Sequence, residues 1–306
     1  MMNRYSNALL IYNGKAGQED MDSTLGDCIG ELTSCCDELT LYGTKSKSDA
    51  ERICREKGGN YELVIILGGD GTVHECVNGL AGLPVRPKTA ILPAGTCNDF
   101  SRSLMIPQNI KQAARLIKYG RTEEIDIVRE NDRYFSNFWG IGIIADASQN
   151  VNEAVKGVFG KISYYLSAFQ TLQEAETFTF KADIDGKSVE EKAVMVFVAN
   201  GRFIGTSELP LPPQKYNDGV VDIFIIKEAG FKLLKEVLAA KGTGKLNEKS
   251  GEILHFQAKN ASIETTPVQS TDMDGEVYTD TPVQMDVLNR HIPFIVGEEE
   301  RKEAAE

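Results

Sequence analysis

The sequence predicts an α/β protein in two parts: an N-terminal open, mostly parallel α/β sheet domain and a C-terminal antiparallel β-sandwich-like domain. Three observations carry this. Strand-like and helix-like segments alternate over the first 125 residues, the pattern of an open parallel sheet. After about residue 126 strands dominate, which argues for a sandwich. Two glycine turns in the first part directly follow buried strands, at the carboxyl edge where open sheets bind ligands. The 306 residues also suit two domains better than one. The expected boundaries are 1–125, 126–290, and a C-terminal segment 291–306 that returns to the first domain and ends in a frayed acidic tail.

The elements follow in order. Ala8–Tyr12 (ALLIY) is a short apolar strand, and residues 20–35 can form a helix. Glu38–Tyr42 reads as a strand. Lys47–Lys57 places Ala50, Ile53 and Cys54 at helical spacing. Leu63–Leu67 is unbroken branched apolar sequence, hence a buried strand. Val73–Leu80 is a helix, Thr89–Leu92 a strand, and Asn109–Tyr119 a helix. Strands are then expected at Phe178–Asp183, Ala193–Ala199, Val220–Ile226, Ser262–Thr266 and Val283–Leu288. Two helices interrupt them, Phe159–Glu174 and Phe231–Ala240. The final EEERKEAAE is a solvated charge run.

Bulk properties exclude several classes. No run of 18 apolar residues exists to span a bilayer. The opening MMNRYSNALLIYNGKAG has too short an apolar stretch for a signal peptide, so the expected location is cytoplasmic, peripheral at a membrane surface at most. A net charge of −12 repels nucleic acid, and contact with an anionic membrane needs a local apolar or basic patch. The six cysteines lack zinc spacing and read as reduced, partly buried thiols.

The chemistry concentrates in ILGGDGTVHECVNGL, residues 66–80. Gly68, Gly69 and Gly71 can take positive φ and let backbone approach a ligand closely. Thr72 is a candidate cap for the following helix, whose N-terminus favours an anion. Asp70 beside phosphates makes sense if a divalent cation lies between, or if it accepts a hydrogen bond from a sugar or a backbone N–H. The P-loop pattern is absent, since Gly244-Lys245 has Ala239 and Leu246 at its other positions; GxGxxG is absent too, because His74 stands at its last glycine. Local physics leaves two readings open, a nucleotide site and a tight structural turn. A second turn, ILPAGTCNDFSRSL (91–104), offers Gly95 and Thr96, while Asn98 and Asp99 are suited to bonding their own loop. Three Asp-Gly pairs, at 185, 218 and 274, all read locally as hairpin turns.

Taken together, these segments resemble the diacylglycerol-kinase catalytic family in its bacterial soluble lipid-kinase branch. GGDGTVHECVNGL and PAGTCNDFSRSL are joined by Asp126 in EEIDIV, Asn200-Gly201, NDGVVDIFII (217–226) and DMDGE (272–276). The likeness runs in order along nearly the whole chain; GGDG alone also occurs in NAD kinases and phosphofructokinases. It implies an ATP-binding first domain, a β-rich second domain, and an active site in the interdomain cleft for a lipid alcohol. It places Asn13, Gly14, Lys15, Ala16 and Gly17 in a nucleotide-lining turn, with Gly14 where the family has proline. Thr44, Gly68–His74 (Gly68, Gly69, Asp70, Gly71, Thr72, Val73, His74) and Thr96 complete the ATP site. Asp218 matches a structural Mg²⁺ site with the carbonyls of Lys215 and Val220. Asp274 and Glu276 match the motif of the general base, with Glu276 favoured as the base and Asp274 as its partner. Asp70 would face a catalytic Mg²⁺, and Asp126 either joins a water-mediated link to the metal or forms a strand-end turn.

Phe100, Leu104, Met105 and Ile106 are expected as an apolar lip for the lipid. The segment FKLLKEVLAAK, with Lys232, Lys235 and Lys241, reads either as an interfacial helix or as a core-packed one. Two rival functions stay open: a GGDG kinase of NAD or a sugar phosphate, and a non-catalytic lipid-binding protein with this fold. An exposed strand edge would permit a dimer.

Overall fold

A computed structural model describes residues 2–13, 18–145, 176–209, 216–227 and 253–298. The chain divides into two compact units, Met1–Glu124 with Ile292–Glu306, and Ile125–His291.

The first unit runs β1 (Tyr5–Asn13), α1 (Gln18–Thr33), β2 (Cys36–Thr44), α2 (Asp49–Lys57), β3 (Leu63–Gly68), α3 (Asp70–Leu80), β4 (Lys88–Pro93), α4 (Asp99–Ser103) and α5 (Ile110–Tyr119). The strands lie in the order β2-β1-β3-β4, each adjacent pair parallel. Every residue of β3 is buried, which is why it carries branched apolar side chains without alternation. From β1 the chain passes first to β2 on one side, then to β3 on the other. This makes the β1/β3 boundary the switch point of the sheet, and the crevice beyond its carboxyl ends is where such sheets take ligands. All six cysteines are free and buried.

The second unit holds most of β5 (Arg121–Glu130), then β6 (Arg133–Phe135), β7 (Phe138–Gly142), β8 (Phe178–Ile184), β9 (Lys187–Ala193), β10 (Met195–Ala199), β11 (Phe203–Ile204), β12 (Ser207–Glu208), β13 (Val221–Ile226), β14 (Ile253–Ala258), β15 (Asn260–Thr266), β16 (Ser270–Met273), β17 (Glu276–Asp280) and the start of β18 (Val283–Val296). One sheet has the order β14-β13-β10-β7-β16-β17; β18, β15, β8 and β9 neighbour one another in a second, where β5 also pairs with β18. Trp139, Ile141, Val196 and Ile223 from the first sheet meet Phe180, Ile263 and Met285 from the second in one core, as in a sandwich. Met195 and Phe197 point the other way into a further buried cluster. Burial on both faces explains the unalternating MVFVA of β10. The end of β18 belongs to the first unit, where Phe294 aligns in parallel with Thr89 of β4.

The expected strands are present, most with an extra residue or more at an end, and β18 runs well past Leu288. The strands β5, β6, β7, β9, β11, β12, β14, β16 and β17 were not expected from the sequence. The expected helices Phe159–Glu174 and Phe231–Ala240 lie outside the described residues.

Candidate active site

The parallel register gathers the described nucleotide candidates at one sheet edge. Asn13 lies opposite Thr44 at the ends of β1 and β2. Tyr12 lies opposite Leu67, and Gly68 opposite Pro93. The two glycine turns therefore leave the sheet side by side. A Cβ on Gly69 would stand 3.0 Å from the Cα of Gly95, so main chain rests on main chain there. Gly71, Gly95 and Thr96 are exposed, Asp70 and Thr72 partly so. Gly14, Lys15, Ala16 and Gly17 lie outside the described residues.

Positive φ, one of the two expected reasons for these glycines, is not what they supply. Among the described residues the glycines with positive φ are Gly142, Gly186, Gly205, Gly219 and Gly275, none of them in these turns. What the turns need is the missing Cβ: on Gly68 it would fall 2.7 Å from Cβ and Oγ1 of Thr72. Nor does Thr72 cap α3. Gly69 is the N-cap, and Thr72 donates its N–H to the Gly69 carbonyl at 3.0 Å. Val73 and His74 are core residues, 3% and 0% exposed, with the His74 ring 3.3 Å from the Asn78 amide. They pack α3 in the core of the first unit.

Asp70 Oδ1 accepts a backbone N–H, that of Phe100, at 3.3 Å. The second turn is pinned by Asn98, whose Oδ1 accepts from the Gly95 N–H at 2.8 Å and whose amide donates to the Gly95 carbonyl at 3.0 Å. The expected apolar lip is corrected as well. Phe100, Leu104 and Ile106 are buried, and Phe100 meets Phe294 edge-on with centroids 5.4 Å apart.

In the second unit the three Asp-Gly pairs have different fates. Asp185-Gly186 and Asp274-Gly275 have positive φ at both residues and close two-residue hairpins between β8 and β9 and between β16 and β17, the I′ geometry. Asp218-Gly219 is no hairpin; it precedes β13, and only its glycine has positive φ. The Gly219 N–H donates to Asp126 Oδ2 at 2.6 Å. Arg290 N–H donates to Asp126 Oδ1, also at 2.6 Å, and the Asp126 N–H reaches the Tyr216 carbonyl at 2.8 Å. Asp126 thus lies inside β5 and anchors the 216–220 loop, instead of ending a strand. Burial raises its pKa above the ordinary aspartate range, the two N–H donors oppose the shift, and the charge of Asp218 adds to it. Asp218 is exposed and Val220 partly so, while Lys215 is outside the described residues.

Asp274 is 6% exposed and its carboxylate is occupied. Oδ1 accepts the N–H of Asn137 and of Phe138, each at 2.9 Å, and Oδ2 accepts the N–H of Ser136 at 3.0 Å. It holds the β6–β7 loop to the hairpin, whereas Glu276 beyond the turn is only partly buried. The amide of Asn200 bridges the carbonyls of Asp126 and Ser136 at 3.0 and 2.7 Å. Asp126, Asn200, Ser136 and Asp274 therefore form one connected network. The sequence reading missed Ser136–Phe138 as its hub, because these act through backbone N–H groups that any residue supplies.

Family models match twice: residues 7–129 fit the diacylglycerol kinase catalytic domain, and residues 139–296 a YegS C-terminal, NAD kinase beta sandwich-like domain. A Staphylococcus aureus (strain Newman) protein called "Putative lipid kinase" is 33% identical over 300 residues, covering 96% of this chain and 98% of that one. The chain belongs to the bacterial lipid-kinase branch of the diacylglycerol kinase catalytic family. Among solved structures, a "putative diacylglycerol kinase" from Bacillus anthracis matches this family member with TM-score 0.87 and 40% identity, over 96% of each chain. An Archaeoglobus fulgidus NAD kinase shares the fold at TM-score 0.50 and 11% identity, over 95% and 94% of the chains. Kinase family membership brings use of ATP with it. Among the described residues, no helix of this lipid-kinase-family chain is long and apolar enough to cross a membrane.

Proposed function

We propose that the protein transfers the γ-phosphoryl group of ATP to the hydroxyl of a diacylglycerol-like lipid. The observation that carries this reading is the pair of bare turns at the switch-point edge, packed backbone to backbone at Gly69 and Gly95, with the N-terminus of α3 beside them. Phosphoryl transfer is mostly alignment and charge stabilisation. A rim where main chain is bared at Gly68, Gly69, Gly71 and Gly95 suits a polyphosphate.

On this reading Asn13, Thr44, Gly68–Thr72 and Thr96 hold the nucleotide, and Asp70 ties the two turns. Glu276 accepts the proton of the lipid hydroxyl as its oxygen bonds to the γ-phosphorus and the bond to the ADP oxygen breaks. Asp274 sets the hairpin that presents Glu276. Asp218 and the Val220 carbonyl suit a cation at the 216–220 loop. Among the described residues no three acidic, His or Cys side chains converge, so such a cation keeps most of its waters, which favours Mg²⁺; when bound it would supply local positive charge. Transient contact with a membrane surface delivers the lipid.

The test is mass spectrometry of lipids phosphorylated from a total extract with ATP, by the wild-type protein and by Asp70→Ala and Glu276→Ala. Phosphorylated lipid from the wild type and far less from folded variants is expected. A wild-type protein that phosphorylates NAD or a sugar phosphate instead would overturn the reading.

A further inference from the structure

We propose that Glu130 is a positioning residue that fixes the register of the β16–β17 hairpin, and through it the direction of Glu276. This deepens the function proposed above and rests on it. Glu130 ends β5 and is 0% exposed. Its Oε2 accepts the indole N–H of Trp139 at 2.6 Å. Its Oε1 accepts the hydroxyl of Thr279 at 2.7 Å, and Thr279 in turn meets the hydroxyl of Thr271 at 2.7 Å.

The place of this cluster is what gives it a role. Thr271 pairs with Thr279, but the next pair is Asp272 with Val277. Strand β17 thus uses two steps where β16 uses one, a β-bulge at residue 278. Beyond it Met273 pairs with Glu276 and Asp274-Gly275 closes the turn. Side chains in a strand alternate between faces, so a slip of one residue at the bulge would turn Glu276 to the opposite face.

Two polar anchors bracket the bulge. Asp274 holds the tip, through the N–H of Phe138 among others. Glu130 holds the foot, through Thr279 and Trp139. Phe138 and Trp139 are adjacent on β7, so both anchors fasten the hairpin to the same strand. Packing alone would not call for this arrangement. A carboxyl placed among core residues is costly to bury, and burial raises the Glu130 pKa above the ordinary glutamate range. What a fully bonded buried network supplies is one defined arrangement out of several of similar packing.

The test uses the full chain with Glu130→Gln, Glu130→Ala and Thr279→Val. Hydrogen exchange is followed across residues 270–280, and kcat and KM for ATP are measured with a total-lipid acceptor. For Glu130→Ala and Thr279→Val, kcat should fall about 10- to 100-fold, the scale of an ångström-level misplacement. KM for ATP should hold, and exchange should quicken in the hairpin and not in the other strands. Glu130→Gln can still accept from Trp139 with its oxygen and donate its NH₂ to a Thr279 hydroxyl turned toward Thr271, so it should stay near wild type. Wild-type kcat and exchange in the other two variants would overturn the proposal, as would a Gln variant as slow as Ala. A KM for ATP that moves together with exchange throughout the unit would also overturn it. If Glu130→Ala does not fold, Thr279→Val decides. If the wild type phosphorylates no lipid, the lipid-kinase reading fails by itself, and hairpin exchange still decides whether Glu130 holds the register.

Discussion

Gly68→Ala tests whether the carboxyl-edge turns are built around a missing side chain. The new Cβ would lie 2.7 Å from Cβ and Oγ1 of Thr72 and 3.0 Å from its Cγ2. Carbon atoms rest at about 3.5–4.0 Å, so the overlap is about 1 Å. Rotating Thr72 about χ1 does not move its Cβ; the first turn of α3 must shift instead. Overpacking of this kind costs about 1–3 kcal/mol, and a shift near 1 Å at the site costs about 100-fold in turnover. Gly79→Ala separates the two effects. Its Cβ would press hardest on the Glu51 carbonyl oxygen of α2, then on Cys54 at 2.5 Å and the Arg55 nitrogen at 3.1 Å, at a helix crossing away from the turns. Calorimetric titration with an ATP analogue, beside thermal melts, should show both variants melting early but only Gly68→Ala losing affinity per folded molecule. Wild-type affinity in Gly68→Ala, or equal losses in both, would refute the argument.

Glu276→Gln should lower phosphate transfer by about 100-fold or more, the usual weight of a general base, with an unchanged melting temperature checked by calorimetry. Asp274→Asn places an NH₂ against one of the N–H groups its carboxylate now accepts, and should cost about 1–3 kcal/mol in a denaturant titration. Gly26→Ala meets nothing within 4 Å inside α1 and should stabilise by about 0.5–1 kcal/mol in the same titration. Burial raises the Glu130 pKa, so the folded state binds its proton more tightly than the unfolded one. Its contribution is fully present below the unfolded value, about 4.3, and is lost as pH rises through the folded value. Glu130→Gln should lack that decline. Trp139, the single tryptophan, should report the titration as a fluorescence change that the variant does not show.

The first unit was legible because its signals are local. A strand buried on both faces must be a branched apolar run, as Leu63–Gly68 is, and a turn packed on another turn must be glycine. What sequence could not reveal is which constraint asks for the glycine: positive φ was the natural guess, and close packing is the actual cause. Phe100, Leu104 and Ile106 were misread for a related reason. Nothing in a short apolar cluster says whether it faces lipid or, as here, packs in the core of its own unit.

The second unit was harder because its information lies in partners far along the chain. One dipeptide, Asp-Gly, occurs three times with one local propensity. Asp185 turns its carboxylate to the N–H of Lys259 and Asn260, at 3.0 Å each, and joins two strands. Asp274 reaches Ser136–Phe138, more than a hundred positions earlier. Asp218 is exposed, accepts the Val220 N–H on Oδ1 at 3.3 Å, and sits in a loop held by Asp126 through Gly219. A carboxylate with backbone donors at both oxygens is spent on structure. By that criterion Asp126, Asp185 and Asp274 build the frame of the second unit.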